Sequence, residues 1–183
     1  MATDRRIDDV ERVTELLGRR PRGRFEVVVR TPAGDPIVIR NEPLFDDGTP
    51  MPTRYWLVGK RENELVGRLE SRGGVNAVEA ELGLDVIAEA HERYRRERDA
   101  ALTDARDLHG EAIPIDAPRP SGGVGGTRVG VKCLHAHYAW FLAGGDDPVG
   151  RWVHERLISD GDVPDEVPND LPNDVPVEHR STT

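Results

Sequence analysis

The chain's only cysteine, Cys133, stands two residues before His135 and four before His137. A thiolate and neutral imidazoles are the ligands zinc and iron sites use, and the same residue types supply a nucleophile and its general base. The spacing leaves two geometries open. On a strand the three side chains share one face and fill three positions of a tetrahedral metal, leaving the fourth for water or substrate. On a helix Cys133 and His137 still meet, while His135 points about 200° away. Leu134, Tyr138, Phe141 and Leu142 fit the helical period and Gly144-Gly145 ends it, so the helix is favoured and the strand stays as the alternative.

Immediately upstream, residues 122–132 read GGVGGTRVGVK. If the helix begins near Lys132, its first-turn amides and the loop around Gly125 and Gly126 make a cradle for a small anionic ligand, a phosphate group included, with Arg128 and Lys132 adding charge. The same field is expected to lower the Cys133 pKa and keep the imidazoles neutral. No Gly-Lys-Ser/Thr follows, so this is not a P-loop. The competing reading is a buried structural cysteine with polar histidine partners after a flexible glycine loop. Asp46-Asp47-Gly48-Thr49 reads as a turn. Trp56, Trp140 and Trp152 read as core, His91 and His109 as isolated histidines, and His154 and His179 as neighbours or members of the C-terminal tail.

These residues must be positioned by an α+β fold. Ile7, Val10, Val13, Leu16 and Leu17 recur at helical spacing over about 4–17. Phe25, Val27 and Val29 alternate, and a second run, 36–40, follows the Ala33-Gly34-Asp35 turn as a hairpin partner; 55–58 is a third β-prone run. From Arg61 the period becomes helical, with Glu64 and Arg68 set for an i,i+4 ion pair. Further helices are expected over 75–82, about 85–106, from about 132 to 143, and over 148–158 with Asp147 as N-cap and Pro148 at N1. The expected architecture is a small antiparallel sheet of about three strands, covered on one side by four to five helices. It divides as an N-terminal amphipathic helix in 1–20, a single α+β domain in 24–158, and a disordered acidic tail in 159–183.

Composition bounds the function. The chain has 183 residues, 37% hydrophobic, 32% charged and 5% aromatic, which suits one domain with a modest core. Acidic residues number 34 against 25 basic ones, so the overall field opposes nucleic acid; only the arginines of RRPRGR, 19–24, could touch phosphates, and a nucleic-acid partner is not expected. No apolar run suits a membrane span or a signal peptide, and a lone cysteine fits a cytoplasmic location while excluding a site built from several thiolates. Residues 159–183 repeat a Val/Leu-Pro-Asn/Asp-Asp theme and carry a net charge of −6, which reads as a solubility tail or a contact for a protein partner.

Four segments, DGTPMPTRYWLV (47–58), LVGRLESRGGV (65–75), the helix around Tyr94–Arg98 and VKCLHAHYAWFLAGGDDPVG (131–150), resemble the bacterial and archaeal family called domain of unknown function 501 over about 25–155. The resemblance implies no established activity. In actinobacteria it implies gene neighbours resembling a septum-formation initiator and an exopolyphosphatase. Many members have a Cys-Pro pair at the first hairpin and a cysteine after the third strand, where this chain has Thr31-Pro32 and Val58-Gly59-Lys60. The site the resemblance leaves is dominated by His135 and His137 with Cys133, completed by Asp47 or Glu70.

Two functions are therefore expected. One is a Cys/His-centred metal-binding or hydrolase-type site, holding zinc or iron or using Cys133, His135 and His137 directly, that acts on a small anionic ligand held by Gly125, Gly126, Arg128 and Lys132. The other is a non-catalytic interaction or adaptor protein linked to cell division or phosphate metabolism, with the acidic tail as its contact.

Overall fold

Alternating apolar residues and a glycine turn make the hairpin that anchors the fold. In the computed structural model, which describes residues 2–45, 47–51, 53–104 and 118–164, β1 (Phe25–Arg30) pairs antiparallel with β2 (Pro36–Asn41). The turn is closed by Gly34 N–H to Thr31 O at 2.8 Å, with Gly34 at φ +95°, a conformation that favours glycine. β3 (Tyr55–Leu57) adds to the other edge of β2 in the order β1-β2-β3. A register shift between Val27 and Val29 re-aims β1, so Val27 opposite Ile39 faces one side and Val29 opposite Val38 the other.

Both faces of the sheet are covered, where the sequence suggests one. The larger core joins Val29, Val38 and Leu57 to the helices α2 (Lys60–Ser71), α3 (Gly74–Leu82), α4 (Leu84–Asp104), α5 (Leu134–Leu142) and α6 (Pro148–Ser159). The opposite face carries Ile39, Val27 and Trp56 against Val13, Leu16 and Leu17 of α1 (Ala2–Leu17). Arg30 to Asp9 at 2.7 Å and Arg12 to Asp35 at 3.0 Å fasten α1 to the hairpin. The apolar residues of β1 and β2 divide between these two layers, which the alternation alone does not separate.

α5 is the central helix. Seven of its nine residues are buried, since it contacts β3, α2 and α6 at once. A helix apolar on nearly every side carries little periodic signal, which is why helix and strand compete in the sequence. Each fully buried large apolar side chain contributes about 1.5–3 kcal/mol relative to exposure, so Leu134, Tyr138 and Leu142 hold α5 firmly. Three polar side chains in this core are satisfied as follows: Trp140 Nε1 donates to Glu97 at 2.8 Å and the Tyr55 hydroxyl donates to the same carboxylate, while Tyr94 Oη accepts from the Arg54 amide at 2.7 Å. Burial and Glu97 push the Tyr55 phenol up to about 12.

The C-terminal boundary lies further on than the composition shift suggests. Residues after α6 fold back on α2: Asp160 pairs with Arg72, Asp162 with Arg68 at 3.2 Å, and Val163 packs on the core. Arg68 is thereby drawn to Asp162 and not to Glu64. The tail expected from 159 therefore begins as ordered chain through 164; its remainder, 165–183, lies outside the described residues, as do Asp46, His109 and His179. Among the described residues no helix is long and apolar enough to cross a membrane.

Candidate functional site

Cys133 is the N-cap of α5, with extended backbone at φ −157° and ψ 148°, and its side chain makes no cap hydrogen bond. Burial pushes its thiol up, and the Glu70 charge adds to the shift; the Ala136 and His135 amides and Lys132 oppose it and lose. The expected thiolate-favouring field is thus outweighed by desolvation and by a carboxylate standing where an anionic ligand was expected.

That carboxylate closes the helix start. Glu70, on α2, accepts from the Leu134 amide, and its Oε1 lies 3.2 Å from His135 Nδ1. His135 Nε2 faces Asn63 O at 3.3 Å, so both ring nitrogens are engaged. Glu79, on α3, does the same one step earlier, accepting from the Val131 amide at 2.7 Å. A Cβ at Gly130, which sits at φ +62°, would lie 2.4 Å from Glu79 Oε1, so the glycine lets this carboxylate approach the backbone.

The glycine loop is likewise turned inward. Gly123 donates to Thr127 O at 2.6 Å and Gly126 to Gly123 O at 3.0 Å, closing a 3-10 turn over Val124–Gly126. The Val124 amide donates to His91 Nδ1 at 3.1 Å, and His91 Nε2 donates to Gly130 O at 2.9 Å. That pattern requires a neutral ring protonated on Nε2, in keeping with a pKa lowered chiefly by burial. Arg98, 2% exposed, donates to Gly122 O at 2.7 Å. Of the two cations expected to hold an anion, Lys132 donates to Gly125 O at 3.3 Å and Arg128 is exposed on the surface.

The deepest polar pair is His137 and Asp147. Nδ1 of His137 and Oδ2 of Asp147 are 2.7 Å apart, with side chains 1% and 0% exposed. Asp147 Oδ1 accepts from the Val149 amide at 3.0 Å, so one carboxylate caps α6 and orients the histidine. His137 Nε2 is buried without a hydrogen-bond partner among the described residues, and the His91 ring stands 5.6 Å away at 46°. His154 Nδ1 lies 3.2 Å from the Tyr138 hydroxyl, whose pKa burial raises.

Among the described residues no group of three or more His, Cys, Asp or Glu is placed to hold a metal ion. The Cys133, His135 and His137 set is not assembled, because on a helix the three take separate directions: Cys133 to the N-cap, His135 to Glu70 and Asn63, and His137 to Asp147. Asp47 closes its own turn, accepting from the Thr49 amide at 2.9 Å. His91 and Glu79, which the sequence reading did not single out, are as central as the histidines it did. Nothing in their local spacing marks them, since their partners lie 33 to 52 residues away.

Residues 27–155 match the family described as protein of unknown function (DUF501). No curated protein and no solved structure matches the chain.

Proposed function

The chain belongs to the DUF501 family, and the matched region holds both the Cys/His segment and the carboxylates that close it; from this premise we propose that it is an interaction or adaptor protein in which residues 122–147 are a structural joint. The observation that carries the reading is the occupation of the Val131 and Leu134 amides by Glu79 and Glu70. An anion-binding helix start needs donors left open for its ligand; here two helices of the same chain supply the anions. The joint ties α2 and α3 to α5, while His91 and Arg98 tie α4 to the glycine loop.

The function then resides on the outer surface, and the partner is a protein. The gene neighbours that the family resemblance implies in actinobacteria direct the search to division and phosphate-metabolism components. The test is recovery of a stoichiometric partner from the native host, followed by calorimetric titration of the purified pair. The reading expects saturable binding that Cys133→Ser and Lys132→Ala leave unchanged. Binding that requires Cys133, or a turned-over small molecule in place of a partner, overturns it.

One observation favours a second reading. An imidazole oriented by a buried carboxylate, with its other nitrogen open, is the arrangement of a general base. In that reading His137 takes a proton, Asp147 orients it, and Cys133 or water is the nucleophile toward a small anionic ligand. A hydrolase screen on small anionic esters, run beside Cys133→Ser and His137→Ala, separates the two: turnover that falls in the variants while they stay folded supports the second reading, and its absence in wild type supports the first.

A further inference from the structure

β1 lies at the edge of the sheet. Among the described residues it pairs with β2 alone, so its other side presents backbone groups with no strand beside them. The Glu42 amide donates to Arg24 O at 3.0 Å, which makes Glu26 and Arg40 the next hydrogen-bonded pair of the register. The N–H and C=O groups of Phe25 and Val27 alternate with these and point away from β2. The register shift after Val27 ends the straight edge there, so the open stretch is short. A groove of about 820 Å³ adjoins it, between α1 and the residues that lead into β1, with Val10, Phe25 and Val27 as apolar lining and Arg20 and Arg22 in its walls.

Arg19, Arg20 and Arg22 are exposed and make no ion pair among the described residues, while Arg12, Arg30 and Arg40 nearby each hold a carboxylate. Two of the three rest on rings: the Arg19 guanidinium lies 5.3 Å from the Trp56 centroid and that of Arg22 lies 5.0 Å from the Phe45 centroid. Stacking fixes a guanidinium and leaves its in-plane N–H donors open to a carboxylate. Pro21 restricts the backbone between Arg20 and Arg22. The Asp47 pKa is lowered first by its hydrogen bonds with Thr49, with the Arg22 charge a lesser cause, and no ion pair joins the two.

We propose that this groove docks an extended acidic segment of a partner protein, added as a fourth strand on the open edge of β1 with its carboxylates on Arg20 and Arg22. The proposal rests on the adaptor reading and supplies its surface and the chemistry of its partner. Main-chain hydrogen bonds to Phe25 and Val27 seat the segment, alternate side chains fall over Val10 and Val27, and the arginines select for acid. Because the open edge is short, charge must supply much of the affinity. A second copy fits worse: antiparallel pairing of two β1 strands sets the arginine segment of each against Arg30 of the other, and parallel pairing sets the two arginine segments together. A nucleic acid also fits worse, since Asp9, Glu26 and Glu42 line the same groove and the chain carries a net charge of −9.

The test uses the full isotope-labelled chain and a blocked octapeptide of alternating valine and aspartate. The proposal predicts saturable binding that shifts the Phe25 and Val27 amide resonances and slows their hydrogen exchange. Binding weakens at least about tenfold at about 1 M salt, where the Debye length is ~3 Å, and by a similar factor in the Arg20→Glu, Arg22→Glu double variant, whose substituted side chains are exposed. The same peptide methylated on its backbone nitrogens keeps the charge and loses the strand's donors, and it also binds at least about tenfold more weakly. No saturation at about 1 mM peptide overturns the proposal. Binding that the double variant leaves unchanged, or that the methylated peptide matches, overturns it as well, since a docked strand needs both the arginines and the edge. The adaptor reading itself stands or falls on recovery of a native partner; a recovered partner that binds the double variant as well as wild type overturns this surface and spares that reading.

Discussion

His137 Nδ1 and Asp147 Oδ2 meet at 2.7 Å with neither side chain accessible to solvent to more than 1%. Ten residues of sequence separate them, and the Gly144-Gly145 turn brings the end of α5 back to the start of α6 so that they face. The same carboxylate caps α6 through the Val149 amide. One residue thus fixes a helix start and a buried ring, which gives its removal two costs.

Asp147→Ala is expected to destabilise by about 2–4 kcal/mol, the sum of a lost N-cap and a buried histidine nitrogen left without its partner. Asp147→Asn keeps an oxygen for the Val149 amide and loses less. Urea unfolding with a shared slope reads both; an Asp147→Ala midpoint within error of wild type contradicts the assignment.

Glu70 and Glu79 are expected to act as anions supplied by the chain itself. Glu79→Ala leaves the Val131 amide without its acceptor and costs about 1–3 kcal/mol, while Glu79→Gln, which retains an acceptor oxygen, recovers part of that loss. If the cradle were meant for an outside anion, removing Glu79 would create phosphate affinity with no loss of stability, and equilibrium dialysis with phosphate would show it.

His91 sets a pH dependence. Its folded pKa is lowered from the ordinary 6.5, chiefly by burial, with the His137 and Arg95 charges acting in the same direction and Gly130 O and Asp147 against it. Between that depressed value and 6.5 the unfolded chain binds more protons than the folded one, so stability rises with pH through this window. The contribution is complete above 6.5 and declines as the pH falls below it. Protonation also removes the Nδ1 lone pair that accepts from the Val124 amide. Stability measured from pH 7.5 to about 5 should fall more steeply in wild type than in His91→Gln; parallel curves would show that His91 titrates alike in both states.

Two glycine-to-alanine changes should have opposite signs. At Gly150 a Cβ would lie 2.3 Å from Phe141 Cβ and 2.7 Å from His137 O, so Gly150→Ala forces α5 and α6 apart and costs about 1–3 kcal/mol. At Gly67, inside α2, no heavy atom lies within 4 Å of the added methyl, and Gly67→Ala is expected to stabilise by about 0.5–1 kcal/mol through lower chain entropy. Thermal melts of the two variants check the pair.

The sequence makes the local elements legible and leaves their long-range closure hidden. Alternation at Phe25, Val27 and Val29 and the Asp147-Pro148 cap are chemical signals carried by neighbouring residues, and the strands and α6 stand where they point. The helix over Leu134–Leu142 was the harder case, because burial on nearly all sides erases its period. Cys133 and His137 draw notice by type, yet burial and the Glu70 charge push the thiol up, and Asp147, the N-cap of α6, meets His137 Nδ1. The glycines of 122–130 look like a ligand cradle in isolation; their freedom serves close approach by His91 at Gly123 and Glu79 at Gly130. α1 closing the second face of the sheet follows from the register shift at Val27–Val29, which no composition pattern displays.

The central claim, that the chain's own groups close the Cys/His segment, is tested most directly by the rate at which Cys133 in the folded protein reacts with a thiol reagent as a function of pH, alone and with zinc or phosphate. The account predicts a titration midpoint above that of free cysteine and a profile that neither zinc nor phosphate moves. A midpoint below that of free cysteine, with labelling slowed by either ion, would contradict it and return Cys133 to the role of ligand or nucleophile.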